Sequence, residues 1–238
     1  MRRRPGLIAL SAFTGALILA GAGCSSGPSS SSQAEQAMYS AASRPIPVSH
    51  PAPGRPLRAG QRWAGSTAGG LRLAVPQRWV TMHSPAALHR ALRQVGLGQA
   101  SAAQLAALLP GRGSGSSVDL ADPGPVSGSG AQAVISLNCS PDHFPPGTNP
   151  AAGLTTLAES EFTALNASTA QIGPTSVDRR PAVLVYDQAS VGTKTVTGLQ
   201  YAVAAPGGRA CYVSLVTEKP LPYEPAFSQL RPTIHVTP

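Results

Sequence analysis

The chain has 238 residues and a formal net charge of +8, and 42% of its residues are hydrophobic, 5% aromatic and 12% charged. This length suits one ordinary domain with an extension, and three cysteines are too few for a small disulfide-dense scaffold. The aromatic residues are few and scattered and the C-terminal part has no basic stripe, so we expect no nucleic-acid partner.

The N-terminus is typical of a secretory signal peptide, which we assign to residues 1–23. Three arginines at positions 2–4 precede a span of 16 residues without charge, from Leu7 to Ala22. A helix that crosses a ~30 Å hydrocarbon core needs about 20 apolar residues. An export signal that is removed after use is therefore favoured over a permanent membrane anchor.

The signal ends in Gly21, Ala22, Gly23 and Cys24, a run that resembles the lipobox of bacterial lipoproteins. The resemblance implies that Cys24 becomes the mature N-terminus and that its thiol forms a thioether to diacylglycerol, with palmitate as an acyl chain. Stable anchoring needs more than one acyl chain or a second signal. Ala20 and Ala22 also form an A-x-A site, so ordinary cleavage after Ala22 is the alternative. The predicted location is the extracytoplasmic face of the bacterial cell membrane.

Residues 24–68 are predicted to be the lipidated cysteine and a disordered tether. From Ser25 to Ala68, 20 of 44 residues are serine, proline or glycine, which do not build a packed core. As a flexible coil, the tether would hold the domain on the order of 35 Å from the membrane. Four arginines against one glutamate give it a charge of +3, which anionic headgroups attract by about 1 kcal/mol per exposed basic residue.

The remainder, residues 69–238, is predicted to fold as one domain, with elements that follow from hydrophobic periodicity. Alternating Leu71, Leu73 and Val75 indicate a strand that Pro76 ends, and a short second strand carries Trp79. The other predicted elements are two short helices between 84 and 109, strands at 118–121 and 133–139, a main helix at 149–165, strands at 182–186, 196–205 and 210–216, and a closing helix and strand through 234.

The predicted class is α+β, because a tight turn at 206–209 joins consecutive strands into an antiparallel sheet whose faces the amphipathic helices must cover. The segments LRLAVPQRW, NPAAGLTTLAESEFTAL, RRPAVLVYD and TGLQYAVAAPGGRACYVSLVTE resemble those of actinobacterial lipoproteins of the LpqN group. The resemblance covers about 170 residues and implies a PsbP-like α/β/α sandwich that works in the cell envelope. Arginine outnumbers lysine 16 to 2, which is also typical of GC-rich actinobacterial coding.

The common hydrolase, metal and phosphate-binding motifs are absent from the sequence, which has no G-x-S-x-G, S-x-x-K, H-E-x-x-H or C-x-x-C pattern. We therefore expect no catalytic residues, no metal site and no cofactor. Asp142 and His143 form the one pair that merits a test, against the simpler interpretation of a solvated turn. His89 lies beside two arginines, which disfavour a cation. Glu159 and Glu161 are interpreted as solvated residues on different sides of their helix.

Cys139 and Cys211 remain once Cys24 is assigned to the lipid. Exported proteins meet an oxidising compartment, so the two are predicted to form a disulfide. Two separate buried thiols are the alternative. Strand alternation places both side chains on apolar faces, and they can bond only if their strands are neighbours or face each other.

These patterns predict a membrane-anchored cell-envelope lipoprotein with a non-catalytic binding domain. The expected partner, apart from the membrane itself, is an envelope protein complex or an apolar envelope ligand in a cleft between sheet and helices. A wall-directed hydrolase with a site not recognisable from sequence is the alternative. A concave pocket with a histidine and an acid in hydrogen-bond reach would favour the enzyme, and a shallow apolar groove would favour binding.

Overall fold

The structure, a computed structural model, describes residues 57–66, 70–110, 117–124, 130–145, 147–165 and 169–237. These ranges contain ten strands and four α-helices. The strands are β1 Gln61–Ser66, β2 Leu71–Pro76, β3 Val80–Met82, β4 Val118–Asp122, β5 Ala133–His143, β6 Thr169–Val177, β7 Arg180–Val191, β8 Lys194–Ala204, β9 Arg209–Thr217 and β10 His235–Val236. The helices are α1 Pro85–Gln94, α2 Ala102–Leu108, α3 Pro150–Leu165 and α4 Pro220–Leu230.

The strands of the described part form two antiparallel sheets. The small sheet has the order β1-β2-β10, and the large sheet has the order β3-β4-β5-β9-β8-β7-β6. Each strand pair in both sheets is antiparallel. The α+β class and the antiparallel sheet predicted from the sequence are confirmed.

The two faces of the large sheet are covered by different layers. One face packs against the small sheet and α4, in a core that includes Leu73, Ile135 and Tyr201. The rings of Tyr201 and Phe227 stack in this core with centroids 4.8 Å apart. Helices α1, α2 and α3 cover the opposite face, where alternate residues of the same strands, such as Val185, are buried. Strand alternation therefore divides the sheet between two apolar cores.

The first two helices, predicted between residues 84 and 109, each begin at a side-chain cap. The side chain of Ser84 accepts a hydrogen bond from the Ala87 amide, and Ser101 and Gln104 form a reciprocal capping box at the start of α2. Both arrangements satisfy amide groups that a helix leaves without an internal partner. Among the helices in the described ranges, none is long and apolar enough to cross a membrane.

The folded part extends further towards the N-terminus than the predicted boundary at residue 69. Strand β1, which composition assigned to the tether, pairs with β2 over six residues. Its sequence QRWAGS contains only two apolar residues. An alternation of apolar and polar residues over so few positions does not predict a strand. Ala64 is buried in the core, and Trp63 lies on the outer face of the small sheet.

Strand β6 was not predicted. Its sequence, TAQIGPTSV, contains Gly173 and Pro174, which are typical of turns. The strand pairs with β7 alone and forms an edge of the large sheet, where a proline that lacks an amide hydrogen is tolerated. This segment is a strand because it pairs with β7, and not because its own residues favour the strand conformation.

Candidate binding groove on the small sheet

A groove lies between the outer face of the small sheet and the C-terminal end of α4. It encloses about 150 Å³. We call it the Trp63 groove, after the indole in its lining. The apolar side chains in this lining belong to Leu57, Trp63, Ala74, Pro76, Ala226, Leu230 and Pro232.

The sequence of β2 creates this outer face. Leu71, Leu73 and Val75 point into the core, so the intervening Arg72 and Ala74 point outwards. Ala74 lies opposite Trp63 in the register of β1 and β2. A small residue beside a large one leaves an open space next to the indole ring, and this space becomes part of the groove.

Trp63 contacts one side chain from each of the other two strands of the small sheet. The guanidinium carbon of Arg72 lies 4.7 Å from the centroid of a Trp63 ring, and the His235 ring meets the indole edge-on at 5.4 Å. A guanidinium on an indole face is a favourable cation–π contact. The Nε atom of Arg72 is buried and has no hydrogen-bond partner among the residues described.

Helix α4 forms the wall of the groove and is fixed to the large sheet by a buried carboxylate. The Tyr223 hydroxyl donates to Oδ2 of Asp122 at 3.1 Å, and Arg78 donates to both Asp122 oxygens at 3.1 and 3.0 Å. Asp122 is fully buried, so these partners offset the cost of burying its charge. Because Phe227 also packs in the core, the wall is anchored at two points.

Some of the polar groups that line the groove contact other groups of the protein. His235 Nδ1 lies 3.7 Å from Asp178 Oδ1, which is beyond hydrogen-bond distance, and Asp178 Oδ2 accepts from the Val236 amide at 3.0 Å. The Thr233 hydroxyl donates to the Leu230 carbonyl at 2.7 Å. A histidine and an acid are therefore neighbours at this site. The Thr233 hydroxyl, which also lines the groove, already donates its hydrogen to the Leu230 carbonyl.

A second polar cluster lies under α3, on the other face of the large sheet. Gln200 donates to Oε2 of Glu161 at 3.1 Å, and Ser214 donates to the Gln200 carbonyl oxygen at 3.1 Å. Burial raises the pKa of Glu161 to about 7, against the lowering effect of the Gln200 hydrogen bond, and the nearby Asp187 carboxylate raises it further. Burial also raises the pKa of Asp187 to about 7, although a hydrogen bond from the Gly198 backbone opposes the shift.

The interpretation of Glu161 as a solvated helix residue is wrong. Its side chain is half-buried against the sheet and bonded to Gln200, whereas Glu159 is exposed. Residues two apart on a helix do point to different sides, as the sequence indicated. The sequence does not show which of the two sides faces the sheet.

The other predicted site residues are spread over the molecule. Cys24 lies outside the described residues, as does the side chain of Asp142. Cys139 and Cys211 are register partners on β5 and β9, and their sulfurs form a disulfide in the structure. His143 is exposed, and its Nδ1 contacts the Gly207 carbonyl.

Sequence reasoning did not single out the residues of the Trp63 groove. Alternation in LRLAVP does show that Arg72 and Ala74 share a face opposite the core residues. It does not show that His235 lies beside them, because β10 pairs with β2 over only two residues and comes from the far end of the chain. No local pattern predicts such a distant, short pairing.

The chain matches no protein-family model and no curated protein. Its fold is similar to that of cyanobacterial PsbP (CyanoP) from Synechocystis, at 12% identity over 79% of this chain and 98% of that one, with a TM-score of 0.43. It is also similar to LpqN, involved in cell envelope biogenesis of Mycobacterium tuberculosis, at 14% identity over 75% and 92%, with a TM-score of 0.45. A Bacteroides thetaiotaomicron protein matches at 9% identity over 75% and 49%, with a TM-score of 0.45. The resemblance noted in the sequence thus reappears as a likeness of fold, and at TM-scores below 0.5 it assigns no function to this chain.

Proposed function

We propose that this protein is an exported lipoprotein, anchored at the extracytoplasmic membrane face through Cys24, whose domain binds an apolar chain of an envelope lipid without catalysis. The bound chain occupies the Trp63 groove. The observation that carries the proposal is the lining of this groove, where an indole, two prolines and two leucines meet at the surface of the domain. Rigid apolar side chains of this kind supply contact area at a low cost in conformational entropy.

The size of the groove supports a single chain as the ligand. A cavity of about 150 Å³ lined by apolar side chains can hold a group as large as benzene. A lipid with two acyl chains would leave most of its surface outside such a groove. The bound part is therefore a short segment of one chain, and the remainder of the lipid stays in the membrane.

The position of the groove supports a membrane ligand. Leu57 and Arg58, at the start of the first described range, contribute to its lining. Residues 24–56 connect this point to the proposed anchor, and the flexible coil that the composition of these 33 residues predicts would reach about 32 Å at ~5.5 Å × √33. The groove thus adjoins the end of the domain from which the tether leads to the membrane.

The rival function, a wall-directed hydrolase, is less well supported at this site. Hydrolysis needs an activated nucleophile within reach of a base. The Thr233 hydroxyl donates to the Leu230 carbonyl, and Asp178 is held by the Val236 amide rather than by a hydrogen bond to His235. Groups that are already hydrogen-bonded within the protein suit a rigid binding surface better than a reacting centre.

The proposal is tested by photo-cross-linking of a fatty alcohol that carries a diazirine on its chain. The full-length protein is reconstituted in phosphatidylcholine nanodiscs, and labelled peptides are mapped by mass spectrometry. Ala74→Phe places a ring in the groove and should lower labelling there roughly tenfold, since this corresponds to the loss of about two buried methylene groups. Leu221→Gln, which removes an exposed leucine outside the groove, should leave labelling unchanged.

Two results would contradict the proposal. One is the absence of label from the groove peptides, and the other is equal labelling of the wild type and a folded Ala74→Phe variant.

A further inference from the structure

The Trp63 groove lies at the point where the described part of the chain begins. Leu57 and Arg58 are the first two described residues, and both contribute to the lining of the groove. The residues that precede Leu57 are therefore attached covalently at the edge of the groove. A segment linked to its site by a short flexible connection has an effective concentration in the mM range. Any part of that segment that matches the lining competes with a ligand that arrives from outside.

The sequence before the first described residue is rich in proline. Residues 45–56 read PIPVSHPAPGRP, and we call them the proline segment. Ile46 and Val48 are the only isoleucine, leucine or valine residues in the range 24–56, and residues 45–49 carry no charge. Proline-rich sequences favour the extended polyproline II conformation, which loses little entropy on binding and docks in grooves lined by aromatic side chains. The Trp63 groove has a lining of this kind.

A turn within the proline segment brings its apolar stretch back to the groove. Pro53 is followed by Gly54, and Pro-Gly is the favoured central pair of a type II turn, which reverses the direction of the chain. Such a turn places the residues on its two sides next to each other. The four steps from Ala52 back to Val48 span about 12 Å at ~3.1 Å per residue. Val48 is thus within reach of the lining that begins at Leu57.

We propose that the proline segment occupies the Trp63 groove in the absence of lipid, with Val48 in the space beside Trp63 and Ala74. Residues three apart lie on the same side of a polyproline II helix, so Pro45 faces the lining together with Val48. The space of about 150 Å³ suits one aliphatic side chain of this size. This inference rests on the proposed function and adds regulation to it, because a lipid chain must displace the proline segment to bind.

The two occupants differ in what favours each of them. A valine side chain buries less apolar surface than a run of methylene groups, so an abundant lipid displaces Val48 from the groove. The proline segment has the advantage of covalent attachment, which does not depend on the supply of lipid. The groove is therefore covered when lipid is scarce, and its apolar lining is kept from contact with other proteins.

The first experiment maps the contact of the proline segment directly. A lysine derivative that carries a diazirine replaces Ser49, next to Val48, in the full-length protein in phosphatidylcholine nanodiscs. After irradiation, we expect cross-links to the peptides that contain Trp63 or Leu230, and added fatty alcohol should reduce them. The same derivative in place of Ser29, which lies outside the proline segment, is the control and should give few cross-links to these peptides.

The second experiment measures the competition with lipid. Val48→Asp introduces a charge that does not enter an apolar groove, so labelling by the diazirine-bearing fatty alcohol should rise about fivefold. This increase corresponds to a groove that is open in about one wild-type molecule in five. Met38→Asp is the matched control, because it introduces the same charge in place of an apolar residue outside the proline segment, and it should leave labelling unchanged.

The inference is overturned if the derivative at Ser49 gives no more cross-links to the groove peptides than the derivative at Ser29. It is also overturned if Val48→Asp is labelled by the fatty alcohol no more than the wild type is, while lipid binding in the groove would stand. The absence of lipid labelling in both the wild type and Val48→Asp would overturn the proposed function. In that case the cross-links from position 49 would still decide whether the proline segment occupies the groove.

Discussion

Asp187 and Glu161 are carboxylates that the fold removes from water, and neither forms a salt bridge with a cation among the described residues. Asp187 lies on β7 next to Gly198 on β8, where a Cβ atom would be 2.5 Å from Oδ1. Glycine therefore makes room for this carboxylate. The other groups that face the pair, Gln200 and Ser214, are neutral. With both carboxyls ionised, the interface under α3 would hold two uncompensated negative charges.

We predict that stability falls as the pH rises through the acidic range and that Asp187→Asn weakens this fall. The pKa of Asp187 rises from 3.8 to about 7 on folding, because burial disfavours the charged form. Between these values the folded state keeps a proton that the unfolded state has released, so raising the pH favours unfolding. The contribution is complete below about pH 4 and is lost above about pH 7.

The measurement is the free energy of unfolding in urea at pH 5 and pH 8. Asp187→Asn should reduce the decrease between these two pH values by about 2 kcal/mol relative to the wild type. Glu159→Gln is the control, since Glu159 is exposed on the same helix as Glu161, and it should behave as the wild type does. Equal pH dependence in the wild type and Asp187→Asn would contradict the prediction.

At the scale of single residues, the sequence predicts where a side chain points relative to its neighbours but not what it meets. Alternation in β2 correctly predicts that Arg72 and Ala74 lie on the face opposite the core residues. The same kind of argument misses the environment of Glu161, because its contact with Gln200 depends on how α3 docks on β8. The Trp63 groove was missed for the same reason, since it needs β1, β2 and α4 together.

At the scale of elements, the sequence predicts the pairing of strands that have clear apolar runs, but not pairings that involve a strand with a weak signal. The hairpin of β8 and β9 follows from two apolar runs and a Pro-Gly-Gly turn, and the structure pairs these strands over eight positions. The contacts of β10 with β2 and of β6 with β7 join segments that lack a strong strand signal of their own. Their structure comes from the strand that each of them meets.

We predict that the Cys139–Cys211 disulfide contributes substantially to the stability of the domain. It links β5 to β9 across a sequence separation of 72 residues. In the chain-entropy model, a cross-link over a loop of about 70 residues stabilises the folded state by ~4 kcal/mol. Reduction should lower the free energy of unfolding by this amount, as measured by urea denaturation with and without a reductant.

The double variant Cys139→Ala, Cys211→Ala provides the control. It should be about as unstable as the reduced protein, and the reductant should have no further effect on it. Two free thiols in the mass spectrum of protein taken from the envelope would show that the disulfide does not form. Equal stability of the oxidised and reduced proteins would show that the cross-link is formed but does not stabilise the domain.

At the scale of the whole molecule, most of the positive charge of the mature chain lies on the folded part. The chain carries +8, of which the three arginines of the signal account for +3. Residues 24–56 contribute +1, from two arginines and one glutamate, and residues 57–238, which include Arg58 and Arg62, contribute +4. The segment next to Cys24 therefore offers little charge of its own to an anionic membrane surface.

The last prediction is that acylation of Cys24, rather than this charge, holds the protein on the membrane. Attraction between exposed arginines and lipid headgroups is screened by salt, whereas each buried methylene of an acyl chain contributes about 0.8 kcal/mol at any ionic strength. A high-salt wash should therefore leave the wild type in the membrane fraction, and Cys24→Ala should release the protein or leave its signal uncleaved. Ser25→Ala is the control and should stay anchored. An intact mass that begins at Gly23 and includes no lipid would mean cleavage after Ala22 and would exclude the anchor.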